Sequence, residues 1–365
     1  MKKLKAGILG ATGMVGQRLV TLLKDHPWFE VAALAASPQS AGMTYADAVS
    51  NRWHMASPIP ERAAGITVQD ASKISAVSEQ VDFVFSAVSL GKAETLALEE
   101  AYARAELPVI SNNSSARMLP DVPMLIPEIN SHHTAVIPAQ RRRLHIKHGF
   151  IAVKCNCSIQ SYVPALTPLM AFEPRQIMVS TFQAVSGAGR VLKTWPEMEG
   201  NLIPFIRGEE EKSQEEPLKI WGQLNADASA IIPAAGPPIS AQCIRVPVSD
   251  GHLATVSVKF AKNPGREAIL DRWANFHPLA EYGLPSSPPQ FLIYLDQQDR
   301  PQPVLDVNAG RGMAISLGRL REDPVFDWRF VCLSHNTLRG AAGGSILSAE
   351  LLLRQGYLTH QEESS

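Results

Sequence analysis

Short apolar runs alternate with helical patterns over the first hundred or so residues of the chain. Small residues, glycine and proline bound these runs, and the segments between them repeat apolar positions at helical spacing. This alternation is typical of parallel strands joined by helices, and it predicts an α/β fold with a Rossmann-type doubly wound sheet. The predicted strands are residues 6–9, 31–36, 81–88 and 107–110, and one predicted helix is 93–103.

A glycine-rich loop, GATGMVG at residues 10–16, lies between the first predicted strand and a helical pattern. Its glycines allow a tight turn and the close approach of a pyrophosphate, and the helix that follows supplies N–H donors. The spacing is GxxGxxG, a variant of the dinucleotide fingerprint. A tight turn without a ligand is the alternative, but the strand before the loop and the helix after it favour a dinucleotide site.

The end of the second predicted strand bears on which dinucleotide binds. An NAD site usually has an acidic residue there, whereas this strand runs into Ala36-Ser37-Pro38 and on to Ser40 without one. Serine hydroxyls can hold a 2′-phosphate, so we predict NADP rather than NAD. No arginine lies in this loop, which makes the predicted preference modest. Small residues around Ser86, at the end of the third strand, would let the cofactor lie against the sheet.

A second candidate site lies in the middle of the chain, where Cys155 and Cys157 follow an apolar run. No second cysteine pair lies at zinc-site spacing, so we predict no metal. The segment after Cys157 is helical in pattern, and a thiol at a helix amino terminus has a lowered pKa and is a competent nucleophile. A hydride-carrying cofactor together with a thiolate indicates aldehyde or acyl chemistry, with an inert buried cysteine as the alternative.

Two further residues suit this chemistry. Arg245 and His252 lie at opposite ends of a predicted strand and turn. An arginine can bind a carboxylate with two hydrogen bonds, and a histidine can exchange protons near neutral pH. The charged segment 208–212 is, on its own, typical of a solvated helix start.

The composition excludes several classes of protein. Of 365 residues, 45% are hydrophobic, which excludes global disorder, and the length suggests two domains. The net charge of −1 argues against a nucleic-acid partner. No apolar run reaches the ~18 residues of a membrane-spanning helix, so no membrane partner is expected. Four cysteines are too few for a disulfide scaffold, so we predict a cytoplasmic protein.

Seven segments together identify a resemblance to the aspartate-β-semialdehyde dehydrogenase family, most of all to its archaeal and fungal branch. They occur in family order and cover nearly the whole chain. The segments are GATGMVG at 10–16, PEIN at 127–130, NCS at 156–158, QAVSGAG at 183–189, GEEEK at 208–212, CIRVPVSDGH at 243–252 and NTLRGAAGG at 336–344.

The resemblance implies NADPH-dependent reductive dephosphorylation of L-aspartyl-4-phosphate to L-aspartate-4-semialdehyde and inorganic phosphate. It implies that Cys157 is the nucleophile, which forms a thioacyl enzyme, and that His252 is the general acid and base. Gln183 and Asn156 would orient the substrate at the cysteine. Arg245 would bind the substrate α-carboxylate.

The remaining site residues also follow from the resemblance. Glu209 would lie near the substrate ammonium, with the adjacent Glu210 as the alternative, and Arg117 and Lys212 would bind the substrate phosphate. The residues expected to bind the cofactor are Gly10, Thr12, Gly13, Met14, Val15, Ser37, Ser40, Ser86, Ser186, Gly187 and Asn336.

The chain departs from the family pattern just before the nucleophile. The family has Asn-Pro where this chain has Lys154 and Cys155. An inward-pointing Lys154 would lower the pKa of the Cys157 thiol further, and an exposed lysine is the alternative. Such departures keep two related thioacyl-forming enzymes open, malonyl-CoA reductase and N-acetyl-glutamyl-phosphate reductase. A non-catalytic NADP-binding scaffold is the alternative from another class.

The resemblance also bears on architecture. A helix expected over residues 345–355 would return the chain to the cofactor domain, which would then be discontinuous, with residues 1–155 and 336–365. Residues 156–335 would form an α+β catalytic and oligomerisation domain, whose alternating strand at 254–260 suggests a mixed sheet. Family members are dimers or tetramers, so we expect a homodimer or homotetramer.

Overall fold

The computed structural model describes residues 2–360 and contains two large sheets. The first sheet is parallel throughout, in the order β3-β2-β1-β4-β5-β7-β6. Its strands are β1 (Leu4–Leu9), β2 (Phe29–Ala36), β3 (Gln69–Asp70), β4 (Phe83–Ser86), β5 (Pro108–Ser111), β6 (Met124–Leu125) and β7 (Phe150–Lys154). The predicted doubly wound sheet is therefore confirmed.

Helices cover both faces of this sheet, which explains why its central strands are apolar without interruption. Every residue of β4, β5 and β7 is buried. A strand buried on both faces has no solvent side on which polar residues would alternate. The helices of this half are α1 (Met14–Leu23), α2 (Tyr45–Val49), α3 (Glu61–Ala64), α4 (Ile74–Ser78), α5 (Lys92–Arg104), α6 (Pro127–Asn130) and α7 (Ile137–Leu144).

The second large sheet is mixed, as predicted, in the order β11-β8-β12-β15-β14-β13. Its strands, together with a small β9–β10 pair, are β8 (Pro174–Gln183), β9 (Gln223–Leu224), β10 (Ile231–Ile232), β11 (Ile239–Arg245), β12 (His252–Phe260), β13 (Leu292–Leu295), β14 (Ile315–Glu322) and β15 (Trp328–Ser334). Burial alternates along β12, because one face packs on the core and the other is open. Met178 and Thr255 are exposed on the open face.

The remaining helices include the one that returns the chain to the first sheet. They are α8 (Val163–Leu166), α9 (Glu209–Ile220), α10 (Arg266–Ala274), α11 (Pro303–Asp306), α12 (Ala309–Gly312) and α13 (Gly343–Arg354). A π-helix, Leu338–Ala342, leads directly into α13 and has no counterpart in the sequence predictions.

Helix α13 packs on the first sheet rather than on the second. Its Ile346 and Leu352 belong to the same buried cluster as Phe83 and Phe150 of that sheet. This packing is what a discontinuous cofactor domain requires, although the division at residues 155 and 336 stays a prediction. Residues 361–365 of the predicted domain lie outside the described residues.

Between residues 2 and 360, no helix has the length and apolar content needed to cross a membrane.

Replacing Leu352 with alanine tests the docking of α13. Leu352 has no exposed surface, and its loss leaves a cavity between α13 and the sheet. We expect a free energy of unfolding lower by about 2–5 kcal/mol, measured by urea denaturation. The matched control is Leu305→Ala, since Leu305 is 57% exposed and its truncation should cost under about 0.5 kcal/mol. Equal losses in the two variants would contradict the packing described.

Candidate active site

Three strands of the second sheet bring their polar ends together at one edge. Gln183 ends β8 and pairs in register with Arg245, which ends the parallel strand β11. On the other side of β8, antiparallel β12 begins at His252, next to the pair Leu253–Phe182. The register therefore places Gln183, Arg245 and His252 side by side, as the resemblance implied.

The first sheet supplies the cysteine at this edge. Cys157 follows β7 and is partly exposed, with its Sγ 3.5 Å from Nε2 of His252. The π-helix passes directly behind it, since a Cβ on Gly340 would lie 2.8 Å from the Cys157 Cβ. The nucleophile predicted from the sequence thus touches the predicted acid and base.

The orientation of the His252 ring follows from a backbone hydrogen bond. The Ala184 N–H donates to its Nδ1 at 3.1 Å, so the ring proton lies on Nε2 and faces the Cys157 sulfur. Burial, reinforced by the Arg245 charge, lowers the pKa of His252 to about 3. The imidazole is therefore neutral near pH 7 and donates a hydrogen bond into the site.

The thiol is less acidic than the sequence analysis predicted. Burial and the Glu209 carboxylate raise the pKa of Cys157 to about 11, against the opposing charges of Lys154, Arg117 and Arg245. The prediction of a lowered pKa is wrong for the free protein. Only a three-residue 3₁₀ turn, Ser158–Gln160, follows the cysteine, and so short a segment does not offset desolvation.

Glu209 connects most of the remaining predicted substrate residues. It begins α9, and its carboxylate accepts hydrogen bonds from Asn156 at 2.9 and 3.0 Å and from Gln183 at 3.3 Å. Lys212, one turn along the helix, forms an ion pair with it at 2.8 Å. Burial opposes ionisation, but Lys212 and the two amides together lower the pKa of Glu209. The site therefore holds a fixed anion.

Arg245 provides a cation near His252. Its Nη1 donates to the Ala184 carbonyl at 2.6 Å, and the residue is 5% exposed. A Cβ on Gly187 would lie 2.9 Å from this Nη1 and from the His252 ring. Glycine at this position leaves the space between the arginine and the histidine open.

A short hydrogen-bonded chain joins this region to the segment before the π-helix. Asn336 donates to Ser186 Oγ at 2.8 Å and accepts from the Gly251 N–H at 2.8 Å. Asn336 is 2% exposed. These contacts place Asn336 and Ser186 beside the reacting groups, between the two sheets.

The glycine loop has the geometry that a pyrophosphate requires. Gly10 has φ +81°, and a Cβ on Gly16 would lie 2.3 Å from the Gly10 carbonyl oxygen, so the turn tolerates only glycine at both positions. Gly13 caps α1 without a side-chain hydrogen bond, and Met14 and Val15 begin the helix with free first-turn N–H groups. Thr12 lies in the loop, where its carbonyl accepts from Gln17.

The two serines after β2 differ in exposure. Ser37 is exposed, whereas Ser40 is 2% exposed and accepts a hydrogen bond from Arg52 Nη2 at 2.8 Å. Ser86, at the end of β4, accepts from Asn113 at 3.1 Å. The predicted cofactor residues on β1, β2 and β4 thus share the carboxyl edge of the first sheet.

Comparison with known proteins agrees with this geometry. Residues 5–137 match the family model "Semialdehyde dehydrogenase, NAD binding domain", and residues 166–339 match "Semialdehyde dehydrogenase, dimerisation domain". This chain belongs to the semialdehyde dehydrogenase family. The sequence-based resemblance is thereby confirmed.

Individual relatives are similar to this family member over nearly their full length. The aspartate-semialdehyde dehydrogenase of Aspergillus fumigatus is 41% identical, covering 98% of this chain and 99% of the relative. That of Archaeoglobus fulgidus is 40% identical, covering 96% and 98%. A crystal structure of the Candida albicans enzyme with NADP superimposes with a TM-score of 0.87 at 37% identity, covering 98% of this chain and 100% of that one.

Arg117, a predicted phosphate-binding residue of this family member, makes three hydrogen bonds outside the Cys157–His252 pair. Its Nη1 pairs with Glu216 at 2.9 Å, its Nε donates to the Lys154 carbonyl and its Nη2 to the Asn112 carbonyl. The guanidinium therefore lies beneath the cysteine loop, with all three nitrogens committed to protein acceptors. These bonds use three of the five N–H donors of the guanidinium, so one N–H remains on each Nη.

Two contributing residues escaped the sequence analysis. Glu216 accepts the Asn156 N–H at 2.6 Å and so holds the cysteine loop. The sequence did contain a signal for Glu216, because it lies seven residues after Glu209 and therefore on the same face of a helix. Arg52 lies twelve residues beyond Ser40, and no pattern in the sequence connects the two.

The raised thiol pKa predicts slow alkylation at neutral pH. Only the thiolate reacts with iodoacetamide, and well below a pKa of about 11 the thiolate fraction grows about tenfold per pH unit. The alkylation rate of the free protein should therefore rise about tenfold per unit between pH 7 and pH 9. The Cys157→Ser variant gives the background of the other three cysteines. A rate that levels off below pH 8 would contradict the raised pKa.

Proposed function

We propose that this chain catalyses the NADPH-dependent reductive dephosphorylation of L-aspartyl-4-phosphate to L-aspartate-4-semialdehyde and phosphate, through a thioester on Cys157. The observation that carries the proposal is the contact between Cys157 and His252, at 3.5 Å. The charges of Arg245 and Glu209 act on both of these groups. Full-length relatives named aspartate-semialdehyde dehydrogenase support the same reaction.

The charges of the site suit an amino-acid substrate. Arg245 offers guanidinium donors to the α-carboxylate, and the ionised Glu209 attracts the ammonium. Lys212 is the more accessible of the two predicted phosphate cations, since its side chain is 31% exposed while that of Arg117 is 10% exposed. We therefore assign the phosphate contact to Lys212 and a supporting electrostatic role to Arg117.

The first half of the reaction is acyl transfer to sulfur. The Cys157 sulfur attacks the acyl carbon, the bond from that carbon to the phosphate oxygen breaks, and the thiol proton leaves with phosphate. His252 donates its Nε2–H toward the sulfur and the carbonyl oxygen, where negative charge develops. Gln183 and Asn156, both tied to Glu209, orient the substrate beside the cysteine.

The second half is reduction and release of the aldehyde. When bound, NADPH supplies a hydride to the thioester carbon. His252 would hydrogen-bond the oxygen of the tetrahedral group on the sulfur, whose collapse to the aldehyde breaks the carbon–sulfur bond. The Cys157 sulfur would leave as a thiolate and take up one proton from solvent, which restores the thiol. The glycine loop fits the cofactor for two reasons. Gly10 and Gly16 keep the turn tight, and the space beside Gly13 is open, since a Cβ on Gly13 would meet only the Gly10 carbonyl oxygen, at 3.4 Å.

The alternatives fit the site less well. A malonyl-CoA or N-acetyl-glutamyl-phosphate substrate lacks a free ammonium, and Glu209 would face it without a cationic partner from the substrate. A non-catalytic scaffold would not need the aligned pair Cys157 and His252. The names of the relatives likewise favour neither alternative.

The family match includes a dimerisation domain, which is consistent with an oligomer. We propose a homodimer or homotetramer in which the open face of the second sheet, with Met178 and Thr255, is covered by another copy. The division into a discontinuous cofactor domain and a catalytic domain belongs to the same proposal. The cytoplasmic location expected from the cysteine content stays a prediction.

The direct test is phosphate-dependent reduction of NADP by aspartate semialdehyde. We expect turnover in the unmodified protein, none in Cys157→Ala, and a rate about 10²–10⁴-fold lower in His252→Ala. Cys332→Ala is the matched control, because Cys332 is buried in β15 away from these residues and should retain activity. Turnover of malonyl-CoA with NADPH but not of aspartate semialdehyde would refute the proposal, as would near-normal activity in Cys157→Ser.

Selectivity for the 2′-phosphate is expected to depend on Arg52. Its guanidinium lies against Ser40 and supplies the cation that the serine loop itself lacks. For Arg52→Ala we expect a dissociation constant for NADPH about tenfold higher, with NADH binding unchanged, both followed by fluorescence. Arg62→Ala, at an exposed arginine of α3, serves as control. Equal weakening for both nucleotides would show that Arg52 does not contact the 2′-phosphate.

A further inference from the structure

Lys154 is a buried lysine that the proposed reaction has not used. It ends β7, three residues before the nucleophile, and is 2% exposed. Its Nζ donates to the Cys155 carbonyl at 3.1 Å. Of the two orientations that the sequence allows for this side chain, inward or exposed, the structure has the inward one.

The side chains of Lys154 and Cys157 lie against the same helical segment. A Cβ on Gly340 would lie 2.8 Å from the Cys157 Cβ, and a Cβ on Gly344 would lie 2.8 Å from the Lys154 Cε. These glycines are four residues apart, about one helical turn. The missing side chains at the two glycines therefore create adjoining spaces, one for the thiol and one for the lysine stem.

The neighbouring carboxylates do not neutralise Lys154. Glu216 pairs with Arg117, and Glu128 pairs with Arg339. Among the ion pairs of residues 2–360, none includes Lys154. A buried charge without a partner is costly, and burial lowers the pKa of Lys154, so an ammonium at this position is stabilised when an anion forms beside it.

The anion available beside Lys154 is a thiolate. Cys155 is 1% exposed, and its Sγ already accepts from Gln160 at 2.9 Å, whereas Cys157 is partly exposed and faces His252. Burial lowers the pKa of Lys154, and the thiolate forms of the two cysteines raise it. Ammonium and thiolate therefore stabilise each other.

We propose that the Lys154 ammonium is the counter-ion of the Cys157 thiolate, which makes Lys154 a positioning residue that acts on the reaction through the sulfur. The inference rests on the proposed role of Cys157 as the nucleophile. Lys154 stands where the family pattern has an asparagine, so this chain has a buried cation that an asparagine does not provide. The charged and titratable groups facing the pair are His252 from β12, Glu209 from α9, Arg245 from β11, Arg117 from the loop after β5, Arg339 from the π-helix and Cys155 from the cysteine loop.

The test is the pH profile of Cys157 alkylation by iodoacetamide in the full-length protein without substrate. In Lys154→Met and Lys154→Gln, which remove the charge, alkylation at pH 8 should be about tenfold slower, a shift of about one pKa unit upward. Lys154→Arg keeps the charge and should restore a profile close to that of the unmodified protein.

Lys219→Met is the matched control. Lys219 is also buried, at 1% exposure, but its Nζ donates to the carbonyls of Arg117, Leu119 and Val122. Replacing Lys219 should lower the free energy of unfolding and leave the pH profile of Cys157 alkylation unchanged. The comparison separates the loss of a buried ammonium in general from the loss of this one.

The proposal fails if the pH profiles of alkylation in Lys154→Met and Lys154→Gln superimpose on that of the unmodified protein. It also fails if the profile of Lys154→Arg is displaced as far as that of Lys154→Met. A second alkylation series with added inorganic phosphate measures how far phosphate protects Cys157 from iodoacetamide. The proposal also fails if the Lys154 variants lose only this protection, because Lys154 would then bind phosphate. Failure of the proposed function shows separately, as full turnover in Cys157→Ser. The two proposals are therefore refuted by different measurements.

Discussion

One residue directly after β8, Ala184, positions two side chains of the site, the neutral His252 and the cationic Arg245. The Ala184 N–H donates to His252, and the Ala184 carbonyl accepts from Arg245. Because the same residue holds both side chains, the ring proton of His252 must face Cys157 while Arg245 stays a fixed distance away. Gly187 completes the arrangement, since any side chain there would occupy the space between them.

The site is also organised by how its buried charges are balanced. Glu209 pairs with Lys212 and Glu216 pairs with Arg117, so these two carboxylates of α9 can hold the cysteine loop through Asn156. The thiol of Cys157 is different, because burial and Glu209 both oppose its ionisation. A site built this way keeps its nucleophile protonated at rest, and reactivity depends on the cations that surround the sulfur.

Much of the first sheet was predictable, because strands buried on both faces are continuous apolar runs. The predicted strand 31–36 lies within β2 (Phe29–Ala36), and the predicted helix 93–103 lies within α5 (Lys92–Arg104). The π-helix Leu338–Ala342 was not predicted, since its form depends on packing behind Cys157 rather than on local composition. The thiol pKa was predicted with the wrong sign, because desolvation depends on neighbours that are distant in the sequence.

By itself, the sequence determined the doubly wound sheet, the glycine loop and the family, because each depends on residues close together along the chain. The motifs shared with the family also indicated Cys157, His252 and Arg245 as candidate site residues. Only the tertiary structure decided which charges oppose one another. Arg117 pairs with Glu216, Arg52 reaches Ser40, and Lys154 is buried with its Nζ on the Cys155 carbonyl. Electrostatic energies depend on distance and burial in three dimensions, and spacing along the chain does not encode either one.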